Sequence, residues 1–277
     1  MKKVLAISGG VDSMLLLHFF AHDKDAVVAH FDHGTRPSSA EDAEFVKKAA
    51  ERYGLPFFLG HGVLGENISE ADARAARYKF LKNAAQKVNG EIYTAHHLDD
   101  LVESIAINLA RGTGWRGLTP FYDKNIKRVF LEDGIDKKEI LRKAAELKII
   151  FRQDPTNTED NYLRNRIRQN LSQKTKNDIQ DFYNLYKKQC ALRKEIEKLI
   201  LEILPADGRY ERKWFDGMDE NIAIEILRAG LMKMDVSATR VQIKNLLKAI
   251  LEYAPEKKFN LPGGKMVTIH KHNFVLK

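Results

Sequence analysis

The chain has one cysteine, Cys190, among 277 residues. A single thiol excludes an internal disulfide and any multi-cysteine metal site or cluster. Such sparing use fits a reducing cytoplasm. No apolar run approaches the ~20 residues that a membrane span needs. Met1-Lys2-Lys3 runs straight into an apolar strand, so no secretory signal is expected ahead of it. There is no internal repeat and no low-complexity segment. The loop directly after the first strand carries neither of two common nucleotide signatures, Gly-x-Gly-x-x-Gly or an ending in Gly-Lys-Ser/Thr.

Hydrophobic residues make up 44% of the chain and charged residues 30%, the balance of a globular protein. The length suits one large domain followed by a small one. A net charge of +8 suits a polyanionic partner and equally suits solubility alone.

The organising stretch is Ser8-Gly9-Gly10-Val11-Asp12-Ser13. It follows the apolar run Val4-Leu5-Ala6-Ile7 and precedes Met14 to Phe20. Strand, glycine turn and helix together leave backbone N–H groups free at a helix N-terminus, where they bind phosphate. The two glycines let the backbone approach an anion closely, and Ser8 and Ser13 add hydroxyls. Asp12 belongs among phosphates if Mg²⁺ lies between them. An ordinary Gly-Gly turn capped by serine would use the same residues.

Further strands are expected at Asp25–Phe31, Pro56–Leu59, Glu91–Ala95 and Lys127–Leu131. Helices should lie between them: Ser38/Ser39 to Tyr53, Ser69 to about Gly90, Leu101 to Arg111, and Asp136–Lys148. This alternation predicts an α/β fold, a parallel sheet with helices on both faces. Ligands bind such sheets beyond the C-terminal strand ends. Ser8–Ser13, Asp32–Arg36 and His96–Asp100 should therefore converge. The strand order stays open. Near residue 160 the pattern changes, and after a basic cluster a Lys-rich helix follows, about Asp178–Ile203. Two more helices follow, Ile222–Met234 and Thr239–Glu252, and then a short hairpin. The expected domains are 1–173 and 174–277, the second small and mostly helical.

His96-His97-Leu98-Asp99-Asp100-Leu101-Val102-Glu103 puts Asp100 and Glu103 on one helix face. Such a pair can hold Mg²⁺ or an ammonium group. A transition-metal site would need another His/Cys cluster, and none exists. Arg111-Gly112-Thr113-Gly114 is either a phosphate-closing loop or a plain helix end. Arg74 and Arg77 lie one turn apart and suit phosphate contact or solvent. Arg164, Arg166 and Arg168 follow Asp154-Pro155-Thr156-Asn157 and suit bidentate phosphate contact, or a solvated basic face.

Taken together, these runs resemble the tRNA(Ile)-lysidine synthetases of the PP-loop ATPase superfamily, in their two-domain form, from Ser8 to about Leu171. The resemblance rests on Ser8–Ser13, Asp32-His33-Gly34 with Arg36, and Glu70, Ala71, Arg74, Arg77 and Tyr78. It continues through Thr94-Ala95-His96-His97-x-x-Asp100-x-x-Glu103, Arg111-Gly112-Thr113-Gly114, Asp154–Asn157 and Arg164–Arg168. The family's usual Arg-Pro is Arg128-Val129 here, and a common Gln is Leu101.

The resemblance implies a Rossmann-like PP-loop fold and ligation of free L-lysine to C2 of the wobble cytidine in tRNA(Ile) with a CAU anticodon. ATP first adenylates the C2 oxygen and pyrophosphate leaves. The lysine ε-amine then attacks C2 and AMP departs. It further implies that Ser8, Gly9, Gly10, Val11, Asp12, Ser13, His30, Arg74, His96 and Gly112 bind ATP and that Asp12 holds Mg²⁺. Asp12, Asp100, Glu103 and Arg77 would be catalytic, and Arg164, Arg166 and Arg168 would contact tRNA. Such an enzyme is expected in the cytoplasm with no membrane partner, as monomer or homodimer. Another AMP-forming PP-loop ligase or tRNA-modifying enzyme is the alternative. A thiolase among these would need more than Cys190, and a small-molecule ligase would leave the basic second half without a role. A non-catalytic RNA-binding protein would have no use for Asp12, Asp100 and Glu103.

Overall fold

The computed structural model describes residues 1–34, 39–62, 70–123, 125–152, 167 and 176–276. They form two compact units, Met1–Gln189 and Cys190–Lys277. The boundary expected at 173/174 borders residues 168–175, which lie outside the described ones.

The first unit contains β1 (Lys2–Ala6), α1 (Val11–Phe19), β2 (Ala26–Asp32), α2 (Ser39–Arg52), β3 (Phe57–His61), α3 (Glu70–Lys87), β4 (Gly90–Tyr93) and α4 (Leu98–Ala110). Next come β5 (Ile126–Lys127), α5 (Val129–Glu132), α6 (Lys137–Glu146) and the start of α7 (Lys176–Ile203). All five strands are parallel, in the order β3-β2-β1-β4-β5. Alternation along the strands explains the two layers. Leu5 and Ile7 face one side with Val28, and pack with Leu15, Leu16, Val46 and Ile140 of α1, α2 and α6. Val4 and Ala29 face the other side and meet Leu81 and Ala84 of α3. A sheet covered on both faces is buried throughout, so β1 and β2 read as continuous apolar runs.

Strand β5 is shorter than expected. Pairing stops at Lys127, and Val129–Glu132 turns into one helical turn. The run Val129-Phe130-Leu131 is apolar without a period, and both Phe130 and Leu131 are buried. Such a run suits a buried strand or a buried helical turn equally. The buried Arg128 decides it. Its Nη1 donates to the carbonyls of Phe121 (2.9 Å), Ile126 (3.1 Å) and Asp123 (3.3 Å), and its N–H donates to Glu132 Oε1 at 3.1 Å. A guanidinium spent on three carbonyls folds the strand end back on itself. Other bounds move by a few residues: β3 extends to His61, and β4 ends before Thr94.

The second unit carries the C-terminal part of α7, then β6 (Arg209–Glu211), α8 (Glu220–Lys233), α9 (Arg240–Glu252), β7 (Lys257–Asn260), β8 (Met266–Ile269) and β9 (Asn273–Val275). The expected hairpin is part of a four-stranded antiparallel sheet, β6-β9-β8-β7. Strand β6 is only three residues long, too short for alternation to register. The core is anchored by Tyr210 stacked on Phe274 at 5.3 Å, with Ile224, Leu227, Ile243, Leu246 and Ile250 of α8 and α9 around them. Arg212 repeats the device of Arg128. It donates to Ile250 O (2.7 Å), Leu251 O (3.3 Å) and Tyr253 O (3.0 Å), satisfying carbonyls that the end of α9 leaves open.

Gly90 pairs with Lys2 where β4 enters beside β1. A Cβ there would lie 2.5 Å from the Lys2 carbonyl oxygen. Gly90→Ala is therefore expected to destabilise the first unit by about 1–3 kcal/mol, the usual cost of overpacking. The check is a lowered urea midpoint at unchanged slope; a midpoint equal to the parent's would refute it.

Candidate active site

The loop Ser8–Ser13 leaves β1 at the C-terminal edge of the sheet. Gly9 has φ +99, a conformation that side chains rarely adopt. Ser13 closes the loop from inside: its Oγ accepts from Ser8 N (3.2 Å) and Gly9 N (3.1 Å) and donates to Gly10 O (2.9 Å). Arg152 N donates to Gly9 O at 3.0 Å, pinning the turn from a distant segment. Helix α1 then starts at Val11, and its first N–H groups have no acceptor within the helix. His30 is buried beneath, where its Nδ1–H donates to Ile7 O at 2.8 Å. Burial holds its pKa below the usual value. His30 thus braces the strand that carries the loop.

The first turn of α4 approaches this loop from the next strand. His97 is buried, with Nε2 at 3.8 Å from Asp12 Oδ1 and 3.5 Å from Asp100 Oδ2. Its Nδ1 lies 3.4 Å from Asp99 Oδ2. The His97 N–H donates to Asp100 Oδ2 at 3.0 Å, one half of a capping box in which His97 is the N-cap of α4. Asp99 instead accepts from the backbone N–H of Lys137 at 2.7 Å, across 38 residues. The Lys137 ammonium pairs with Asp12 Oδ1. Glu103 is buried one turn further along α4. The acids Asp12, Asp99, Asp100 and Glu103 thus gather around one imidazole and one lysine.

Their electrostatics follow from that crowding. Burial opposes the His97 imidazolium, but the Asp99, Asp100 and Asp12 carboxylates outweigh it and raise its pKa. Burial would raise Asp99, yet the contacts with His97 and the Lys137 N–H hold it below its usual value. Asp100 goes the other way. Burial is its largest effect, and the neighbouring Asp12 and Glu103 add to it, so its carboxyl is raised despite His97.

The opposite side of His97 is cationic. His96 accepts or donates a 2.8 Å bond between Nδ1 and Thr94 Oγ1, and its ring packs on Phe121 at 4.9 Å. Burial first, then the guanidinium groups of Arg128, Arg74 and Arg77, push its pKa well below the usual value, so it is neutral. Arg74 and Arg77 lie against the Tyr78 ring, at 4.9 and 5.4 Å. Neither has a carboxylate partner among the described residues. Burial lowers the Arg77 pKa, against the opposing pull of Tyr78.

The structure brings Ser8, Gly9, Gly10, Val11, Asp12, Ser13, His96, Asp100 and Glu103 to one edge, with Arg74 and Arg77 beside them. Gly112 is not among them. It ends α4 with φ +66, about 20 Å of helix from His97. Arg36, Arg164, Arg166, Arg168 and Asp154–Asn157 lie outside the described residues, as does the side chain of Glu70. The sequence reading missed Lys137, Asp99 as its backbone acceptor, and Arg128 as a buried tie. Only Asp136, which caps α6 through Glu139 N at 2.8 Å, signalled that a helix would start beside Lys137.

Residues 1–175 match the family model of the PP-loop domain. The chain belongs to the PP-loop family. This PP-loop domain implies ATP binding. Curated relatives include the tRNA(Ile)-lysidine synthase of Thermus thermophilus (38% identity, 60% of this chain and 34% of that protein) and that of Thermosipho africanus (36%, 61% and 42%). That of Bacillus thuringiensis is 30% identical over 90% of this chain and 55% of its own length. The chain spans about half the length of these relatives or less. Among solved structures, the U34-tRNA thiolase NcsA from Methanococcus maripaludis with its [4Fe-4S] cluster aligns with TM-score 0.56 at 16% identity, over 69% of this chain and 73% of that one. That likeness concerns the fold. With Cys190 as its one cysteine, this PP-loop chain has no ligand set for such a cluster. No helix among the described residues is long and apolar enough to cross a membrane.

A raised histidine pKa has a definite consequence for stability. Its contribution is fully present below the unfolded value near 6.5 and is lost as pH rises through the folded value. His30 and His96, with lowered values, act in the opposite sense. The difference in melting temperature between the parent and His97→Gln isolates the first effect. It should favour the parent most below pH 6.5 and shrink toward pH 9. A gap that widens with pH would overturn this assignment.

Proposed function

We propose that this PP-loop protein ligates free L-lysine to C2 of the wobble cytidine of tRNA(Ile) with a CAU anticodon, by way of an adenylated cytidine. The observation that carries the reading is that Asp12 belongs to two sites at once. It sits in the Ser8–Ser13 loop, and it shares the buried His97 with Asp100, whose charge also feels Glu103 one turn further along α4. A ligase that adenylates one substrate and then admits an amine needs those two sites side by side. The names of the curated relatives support the choice of lysine and tRNA.

In this reading Ser8–Ser13 hold the phosphates that leave as pyrophosphate, and Arg74 and Arg77 face the adenylate or the tRNA backbone. Neutral His96 offers a hydrogen bond without adding charge. Asp100 and Glu103 receive the lysine ammonium. Asp100 is assigned as the proton acceptor, because burial and its acidic neighbours raise its pKa and so make its carboxylate a stronger base than a free one. His97, its pKa raised by its acids, lies between Asp12 and Asp100. Asp12 suits Mg²⁺ in the usual way for this ion, one carboxylate with phosphate oxygens completing the shell. Among the described residues no three His, Cys, Asp or Glu side chains are arranged so that they could hold a metal ion by themselves. When bound, Mg²⁺ would neutralise charge on the departing pyrophosphate. Arg164, Arg166 and Arg168 supply phosphate contacts to tRNA, and the setting is the cytoplasm.

The direct test incubates the full chain with unmodified tRNA, ATP and labelled lysine. Label should enter tRNA with one AMP released per lysine. Pyrophosphate release that ignores tRNA would replace this reading by a small-molecule ligase. Asp100→Asn should cut turnover by about a hundredfold or more while the protein stays folded and binds ATP as before. Turnover within a few-fold of the parent would remove Asp100 from the role of base.

Arg166→Ala combined with Arg168→Ala should weaken tRNA binding and flatten its log–log salt slope by up to about two units. An unchanged slope at unchanged affinity would place the tRNA surface elsewhere.

A further inference from the structure

We propose that Lys137 contacts the phosphates bound by the Ser8–Ser13 loop, bridging them to Asp12 and stabilising the negative charge of the pyrophosphate as it leaves. The inference rests on the reading of that loop as a pyrophosphate site. It assigns the site a resident cation that none of the loop residues provides.

Three observations place the ammonium there. The Lys137 side chain pairs with Asp12 Oδ1, across 125 residues of sequence. Its backbone is fixed independently, since Lys137 N donates to Asp99 Oδ2 at 2.7 Å and Leu98 N donates to Ile135 O at 3.0 Å. Ile140, on the next turn of α6, is fully buried in the cluster that contains Leu15 and Leu16 of α1. The base of the side chain is therefore anchored to the same two elements that carry Asp12 and His97.

The ammonium still has capacity. It has three N–H donors, and among the described residues Asp12 is its one hydrogen-bond acceptor. The side chain remains 36% exposed, so it is not sealed into the core. Lysine is a flexible point charge suited to follow phosphate oxygens as they move. Its place beside the loop serves the chemistry proposed above. The cytidine C2 oxygen attacks the α-phosphorus, the bond from that phosphorus to the bridging oxygen breaks, and the electron pair goes to pyrophosphate. A cation at the leaving group stabilises that charge in the transition state. Lys137 neither gives nor takes a covalent bond in this step.

The test is calorimetric titration of the full chain with inorganic pyrophosphate, in a chelator that removes divalent ions. The parent, Lys137→Met and Lys137→Arg are compared. Lys137→Met should weaken pyrophosphate binding by about tenfold or more, the scale of one lost charge-assisted hydrogen bond. Lys137→Arg should stay within about threefold of the parent, because it keeps the charge. In the parent, pyrophosphate should also slow labelling of the Lys137 amine by an acylating reagent, read by peptide mass mapping. This second readout needs no variant and stands if Lys137→Met fails to fold. Equal pyrophosphate affinity in a folded Lys137→Met, no binding by the parent at millimolar pyrophosphate, or no protection of the amine would each overturn the proposal. A lower melting temperature with unchanged affinity would make Lys137 a purely structural ion pair, and would overturn it too. Lysine transfer to tRNA is scored separately. Lys137-dependent pyrophosphate binding without that transfer would overturn the ligase reading and keep this one. Transfer with Lys137-indifferent binding would do the reverse.

Discussion

The first unit depends on the reversal of strand order at β1. The strands run outward from β1 to β2 and β3 on one side and to β4 and β5 on the other. The loops on the two sides of that point diverge, and a crevice opens between them at the C-terminal edge. Ser8–Ser13 comes from β1 and His97–Glu103 follows β4, its immediate neighbour. The contact between Asp12 and His97 is thus a product of strand order before it is one of side-chain chemistry. With β4 elsewhere in the sheet, the same motifs would form a phosphate loop and an acidic helix with nothing to say to each other.

Charge is separated within that crevice. Carboxylates crowd the side of His97, whereas the guanidinium groups of Arg128, Arg74 and Arg77 act on His96. Two adjacent histidines are driven in opposite directions by this contrast, one toward the imidazolium and the other toward the neutral ring. A substrate with an ammonium at one end and phosphate at the other would be oriented by the gradient alone.

Much of this was readable in the sequence where chemistry and local periodicity coincide. The strand–Gly-Gly–helix unit, the Asp100/Glu103 spacing and the alternation of elements all show in the residues. What stayed hidden depends on long-range contact. Lys137 looks like any surface lysine in Asp-Lys-Lys-Glu until α6 packs on α1. Arg128 stands in an unremarkable Lys-Arg-Val, yet its guanidinium ends a strand. Gly112 attracts attention in a glycine-rich run, but the end of a 13-residue helix explains it. Strand β6 is too short to carry a period, and its pairing with β9 is visible only in three dimensions.

Ser13 has a consequence for turnover. Its hydroxyl already accepts the N–H groups of Ser8 and Gly9, so an anion that claims these groups takes them from a protein oxygen and not from water. The loop's shape is maintained while it waits, which spares the ordering entropy. Affinity is then the difference between two sets of hydrogen bonds. Each time a product departs, the serine recovers its donors at once. A loop built this way grips an anion less tightly than a row of bare amides would, and a weaker grip means a faster release.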